Sequence, residues 1–251
     1  MPKLMDTTME DLRTSSNYQF SAVKIDELES AKYTLVTIAL DISGSVGGYK
    51  DDLENTLKTI LESCKKCPEA ESLMLRLVAF NNDVEELHGF KLLSTINETD
   101  YDNIVHPRGG TALYDAAHTT IEATKDYASI LFNQDFDSNA IIFVVTDGCD
   151  NSSSTTPNSV KNVVNETIRE ECLDSITIVL VGVGTEHAFV DNALSNFKQD
   201  AELTQYVPLG EATPSKLAKL AQFISRSISS TSQSLGSGHA PNTSAISSLT
   251  F

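Results

Sequence analysis

The chain has 251 residues, 40% of them hydrophobic, with 35 acidic against 18 basic side chains and a formal charge of −17. That length buries a sizeable core, and suits one domain better than two. The acidic field opposes nonspecific binding to nucleic acid or anionic membrane, and no run approaches the roughly 18 uncharged apolar residues of a membrane span.

Residues 1–13 are polar and acidic, without the basic start and apolar core of a signal peptide. We read 1–17 as a loose tail, and 18–25 as either a short strand or the start of a helix. Residues 33–41 open with YTLVTIAL, a β-branched apolar run that reads as a strand buried on both faces. Residues 49–67 read as a helix, since Leu53, Leu57, Ile60, Leu61 and Cys64 recur at three- and four-residue spacing, and Pro68 ends it. Cys64-Lys65-Lys66-Cys67 is a C-x-x-C with no second pair at zinc spacing, so we read reduced thiols at a helix end. With Cys149 and Cys172 as the other cysteines and no signal peptide, the expected compartment is the cytoplasm.

Residues 73–80 and 84–92 read as a hairpin around the Asn81-Asn82-Asp83 turn, its second strand exposed. A loop over 94–108 leads to Gly109-Gly110, then a helix over 111–132 with Leu113, Ala117, Ile121 and Ala128 inward. A polar turn over 133–139 precedes a second buried strand, 140–146. The loop 147–157 is rich in Ser, Thr and Asn. Beyond it we expect a helix at 159–172, a third buried strand at 175–183, a short helix at 187–197, a strand at 204–207 and a closing helix at 213–230. Ser, Gly, Thr and Asn dominate 232–248, which predicts disorder. The expected organisation is a partly ordered N-terminal extension, 1–32, a domain over 33–230, and a disordered Ser/Gly-rich tail, 231–251. Strands alternating with helices predict an α/β fold of three layers, with a mostly parallel central sheet between helices.

Three loops at the carboxyl ends of predicted strands carry oxygen side chains. Asp41-Ile42-Ser43-Gly44-Ser45 follows the first buried strand; Gly109-Gly110-Thr111 opens a helix; Asp147-Gly148 closes the second buried strand. In open α/β sheets ligands bind beyond the strand carboxyl ends. Two carboxylates and three hydroxyls suit a hard cation such as Mg²⁺. Each residue also has a plainer reading: Ser45 and Thr111 as helix N-caps, Asp147-Gly148 as a turn.

Taken together, DxSxS, then GGTxLxDA, then an apolar strand ending in TDG resemble the metal-ion-dependent adhesion site of von Willebrand factor type A domains. The pieces occur in the family's order, and the resemblance covers about residues 33–230. It implies a Rossmann-like sheet with an antiparallel edge strand at 84–92. It also implies one Mg²⁺, with Mn²⁺ or Ca²⁺ as alternatives, held by Asp41, Ser43, Ser45, Thr111 and Asp147. The function implied is non-enzymatic binding of another protein, whose acidic side chain completes the ion's coordination, with no nucleic acid, membrane or small-molecule substrate. Stand-alone intracellular bacterial and viral members of the family suggest ATPases, kinases or phosphatases as partners.

Around this set, we read Asp115 as a structural contact, and Asp150, Asn151 and His106 as solvated loop residues. Cys149 is not expected to be a ligand, because Mg²⁺ prefers oxygen. Two other functions compete. A Mg²⁺-dependent phosphoryl-handling enzyme of the haloacid dehalogenase type also uses a strand-end aspartate, but needs a second acid where this chain has Ser43. No G-x-S-x-G elbow or Walker A sequence is present. The other is a scaffold with a vestigial metal site.

Overall fold

Runs of Val, Ile, Leu and Ala build the centre of the sheet. The structure, a computed structural model, describes residues 8–237. Strands β3 (Lys32–Asp41), β4 (Leu73–Phe80), β6 (Asp137–Thr146) and β7 (Ile176–Val183) are buried along almost their whole length. They lie parallel in the order β4-β3-β6-β7, and β8 (Gln205–Gly210) continues beyond β7. Apolar side chains on both faces require cover on both faces. Helices α1 (Lys50–Lys65) and α5 (Pro214–Ser237) cover one, over Val36, Ile38, Leu40, Phe143 and Val181. On the opposite face, α2 (Leu113–Phe132), α3 (Pro157–Glu170) and α4 (Ala188–Asp200) pack over Ala39, Val78, Ile142 and Leu180. The predicted three-layer α/β/α arrangement is the one observed.

The N-terminal side differs from expectation. β1 (Met9–Arg13) and β2 (Gln19–Val23) form an antiparallel hairpin, so 8–17 is not a loose tail. β2 runs parallel to β5 (Val84–Leu92), meeting it at Ala22 and Phe90, and β5 pairs antiparallel with β4. The eight strands described thus run β1-β2-β5-β4-β3-β6-β7-β8. β5 is an inner strand, and β1 is the antiparallel edge. Five-residue strands of mixed polarity leave too short an alternation to identify in isolation.

Polar bonds fix this hairpin. Glu86 accepts from Ser21 N and Ser21 Oγ at 2.8 and 2.7 Å through one oxygen, and from Arg76 Nε at 2.7 Å through the other. Glu122 on α2 takes Ser15 Oγ and Ser16 N at the hairpin turn. Arg76 is fully buried, stands over the rings of Tyr18, Phe20 and Phe90, and donates to the Tyr18 hydroxyl. Removing one partner of such a buried pair costs about 3–5 kcal/mol, because the other charge is left uncompensated. At Gly89 an added Cβ would lie 1.9 Å from Ser21 O, so only glycine admits β2 this close.

Two boundaries also move. β6 begins at Asp137, inside the expected turn 133–139. Ser138 and Asn139 are buried there, and Asn139 Nδ2 donates to Thr231 O at 2.6 Å. α5 continues past the predicted domain end at 230, with Thr231 and Ser232 buried. The rest of the expected tail, 238–251, lies outside the described residues.

Candidate metal centre

Because β3, β4, β6 and β7 are parallel, their carboxyl ends share one edge, and in-register pairing sets which residues meet there. Leu40 pairs with Val145, so Asp41 ends its strand beside Thr146. Thr146 Oγ1 donates to Asp41 Oδ2 at 2.6 Å, and Ser43 N donates to Asp41 Oδ1 at 2.8 Å. Ile42 N reaches Phe80 O at 2.8 Å, extending the β3–β4 ladder one residue into the loop. The chain then turns through a short 3₁₀ segment, Gly44–Gly48, into α1.

Four of the five residues expected to hold the ion form one hydrogen-bonded row. Asp41 binds Ser43 N, Ser43 Oγ lies 3.0 Å from Ser45 Oγ, and Ser45 Oγ donates to Asp147 Oδ1 at 2.7 Å. Thr111 joins from the other side, its Oγ1 lying 3.6 Å from where a Cβ on Gly148 would stand. Asp41, Ser43 and Thr111 are buried at the floor, Asp147 is half-buried, and Ser45 is exposed at the rim. The site opens outward. Neither hydroxyl caps a helix: Ser45 lies within the 3₁₀ turn, and the N-cap of α2 is Ala112.

The loops around this row hold one another. Asn82 Oδ1 accepts from Gly110 N at 2.6 Å, and Ala112 N donates to Asn81 O at 2.6 Å. Asn151 Oδ1 accepts from Thr111 N at 2.8 Å, while Asn151 N donates to Thr111 O at 3.0 Å. Asn151 is exposed, as expected, and also clamps Thr111. A Cβ on Gly110 would fall 2.4 Å from Asn151 Oδ1 and Ser152 Oγ, which explains a glycine there. Asp150 is half-buried and accepts from Tyr114 N at 3.3 Å. Ser153 Oγ takes Tyr114 N and Asp115 N, satisfying amides at the start of α2 that have no partner within the helix. Asp115 accepts from Ser154 N and Thr155 N at 2.9 and 2.8 Å, a structural contact of the kind expected. Burial pushes its pKa up, but bonds from Thr155 and Ser154 outweigh that and leave it below the usual value. The sequence reading passed over Asn82, Thr146 and Tyr49. An Asn-Asn-Asp turn at the carboxyl end of a strand was the available signal for the first.

Electrostatically the row is unbalanced. Among the described residues neither Asp41 nor Asp147 is ion-paired to a lysine, arginine or histidine. Burial pushes Asp41 up to about 6, against the lowering effect of its bonds from Thr146 and Ser43, and the nearby Asp147 adds to the rise. Burial, followed by the charges of Asp147, Asp41 and Glu186, raises the Tyr49 phenol well above the ordinary value. A divalent cation fits this donor set: hard oxygens only, two carboxylates, and no cationic side chain already balancing them. Among the described residues no cluster of three or more His, Cys, Asp or Glu side chains stands ready for a metal, so hydroxyls must complete the set.

No protein-family model and no curated protein sequence matches the chain. Solved structures do match in fold. A D319A mutant of the PilB minor pilin from Streptococcus sanguinis superposes with a TM-score of 0.58 at 14% identity, covering 89% of this chain and 67% of that one. A von Willebrand factor type A protein from Catenulispora acidiphila gives 0.54 at 13% identity, covering 84% and 44%. Proximal thread matrix protein 1 from the mussel byssus gives 0.54 at 17%, covering 82% and 47%. The chain thus spans about half to two thirds of the length of these proteins. The fold is of the von Willebrand factor type A kind. Among the described residues no helix is long and apolar enough to cross a membrane.

Proposed function

We propose that this chain is a metal-dependent protein-binding module, not an enzyme, and that Asp41, Ser43, Ser45, Thr111 and Asp147 hold one Mg²⁺, with Mn²⁺ or Ca²⁺ as substitutes. The observation that carries this reading is the pair of carboxylates, linked through the Ser43 amide and the Ser43 and Ser45 hydroxyls, with no cationic side chain paired to either among the described residues. Ionised carboxylates this close repel unless a cation lies between or beside them. Thr146 and Ser43 N orient Asp41 from below, Asn151 fixes Thr111, and Ser45 Oγ holds Asp147 at the rim. When bound, the ion supplies a positive centre able to take one more anionic oxygen, since two carboxylates only match its charge. The outward opening supports a side chain of another protein, an Asp or Glu, as the source of that oxygen. Four free cysteines agree with a reducing, cytoplasmic setting.

Calorimetric titration of Mg²⁺ and Mn²⁺ into the wild type and Asp147→Ala tests the site; equal heats from the two would refute the assignment. Capture of a purified partner with Mg²⁺ and with EDTA tests the bridge, and retention in EDTA would leave a scaffold with a vestigial site. Turnover of a generic phosphate ester that disappears in Asp41→Asn would overturn the non-enzymatic reading.

A further inference from the structure

The segment before the glycine pair is fastened along the metal-site loop more firmly than a connecting loop needs. Arg108 N donates to Ile42 O at 2.9 Å, and Gly44 N donates to Gly109 O at 3.2 Å. Residues 108–109 therefore run beside the Asp41–Ser45 turn like an extra strand. Pro107 lies against Gly47, where an added Cβ would sit 4.0 Å from the proline Cβ. Further back, Glu54 on α1, 8% exposed, accepts from Asn103 N at 3.2 Å and Val105 N at 3.0 Å. Both of its oxygens hold this loop.

From that fixed backbone the Arg108 side chain projects into solvent. Among the described residues its guanidinium has no ion pair and no hydrogen bond, in a chain with 35 acidic side chains. Charged neighbours along the rim are few. Lys50 leans on Asp51 at 3.7 Å, His106 is exposed on the same loop, and the charge of Glu186 is felt at Tyr49.

Resting on the metal-bridging reading above, we propose that Arg108 is a second anchor, which binds a second carboxylate of the same acidic segment that reaches the ion. Arginine presents a planar fork suited to a carboxylate, and a backbone already fixed by four hydrogen bonds leaves only side-chain rotamers to be ordered. The guanidinium is tethered one residue from Gly109, whose carbonyl touches Gly44, between Ser43 and Ser45. Alternate side chains on an extended strand stand about 7 Å apart, which suits one acid at the ion and the next at a guanidinium rooted beside it. The ligand is thus an extended peptide with acids two residues apart, Glu-x-Glu or its aspartate equivalents.

The test uses two capped peptides, Gly-Gly-Glu-Gly-Gly and Gly-Glu-Gly-Glu-Gly, titrated by NMR into wild type, Arg108→Gln and Arg108→Lys at saturating Mg²⁺ and constant ionic strength. Two equivalent acids give about a twofold statistical advantage with no second anchor. Wild type should favour the two-acid peptide roughly five- to tenfold, as a charge-assisted contact near a shielded site allows. Arg108→Gln should fall back to about twofold, and Arg108→Lys should lie between. Affinity for the one-acid peptide, and the calorimetric Mg²⁺ constant, should stay the same in all three. A wild-type preference of twofold or less, with Mg²⁺-dependent binding of both peptides, overturns the role of Arg108 and leaves the metal bridge standing. If neither peptide binds in a Mg²⁺-dependent way, the bridge itself fails.

Discussion

Asp41→Asn separates the two roles of the carboxylate at the floor of the site. Asn keeps an oxygen to accept from Ser43 N, and its amide can donate to Thr146 Oγ1, whose own proton can turn to Gly148 O at 3.2 Å. The fold is thus spared an unsatisfied group. What changes is charge. With its pKa raised from 3.8 to about 6, Asp41 contributes stability that is present below pH 3.8 and is lost as the pH rises through about 6. Above that, the ionised group disfavours the fold by at most about 3 kcal/mol, and relaxation brings this to about 1–2. In chelator at neutral pH, Asp41→Asn should therefore melt higher than wild type, by roughly 2–8 °C for a domain this size. In Mg²⁺ the order reverses. At a hundred times its dissociation constant the ion stabilises wild type by about 2.7 kcal/mol, roughly 5–10 °C, and leaves the variant unmoved. Thermal melts in EDTA and in Mg²⁺ read both effects. A variant that gains as much from Mg²⁺ as wild type, or melts lower in EDTA, would refute the reasoning.

Two further outcomes follow from residues away from the site. His88 Nδ1 bonds Gly89 O and Nε2 bonds Tyr101 Oη, both at 3.0 Å, and burial lowers its pKa from 6.5 to about 4. The unfolded chain takes up a proton that the fold refuses, so stability is full above pH 6.5 and declines as the pH falls toward 4. For a half-buried ring we expect about 1–2 kcal/mol, which urea titrations at pH 7 and 4.5 should show as a fall in the stability of wild type relative to His88→Gln, since both share the opposite effect of Asp41. Gly89→Ala places a methyl into Ser21 O and should cost at least about 2–3 kcal/mol, with new proteolytic cleavage in the β1–β2 hairpin; unchanged protection would show that β2 is not seated on Gly89.

The central strands were legible because continuous apolar runs such as 33–40 leave little other choice, and α1 and α2 because their inward residues keep helical spacing. The oxygen set was legible as types and order. The clamps were not. Asn151 reads like any polar loop residue until Thr111 is placed beside it, 40 positions away. The hairpin was missed for a related reason. Its burial depends on the Arg76–Glu86 pair and on Glu122, whose charges suggest solvent in a sequence and which find their partners, Ser15 and Ser16 in the case of Glu122, only in three dimensions. Likewise Thr231 and Ser232 look like tail, yet Asn139 awaits the Thr231 carbonyl at the base of β6.

The parallel pairing of β2 with β5 has a consequence in time. Ser21 meets Glu86 across 65 residues of chain. At roughly 5–20 residues per second, a ribosome needs about 3–13 seconds to make that interval. Until then the β1–β2 hairpin has no seat, and an isolated two-stranded hairpin is marginal in water. Its seat also needs Gly89 and the buried Arg76, so β4 and β5 must fold back on each other first. The hairpin segment waits with Phe20 and Val23 uncovered, and is placed only after strands made seconds later.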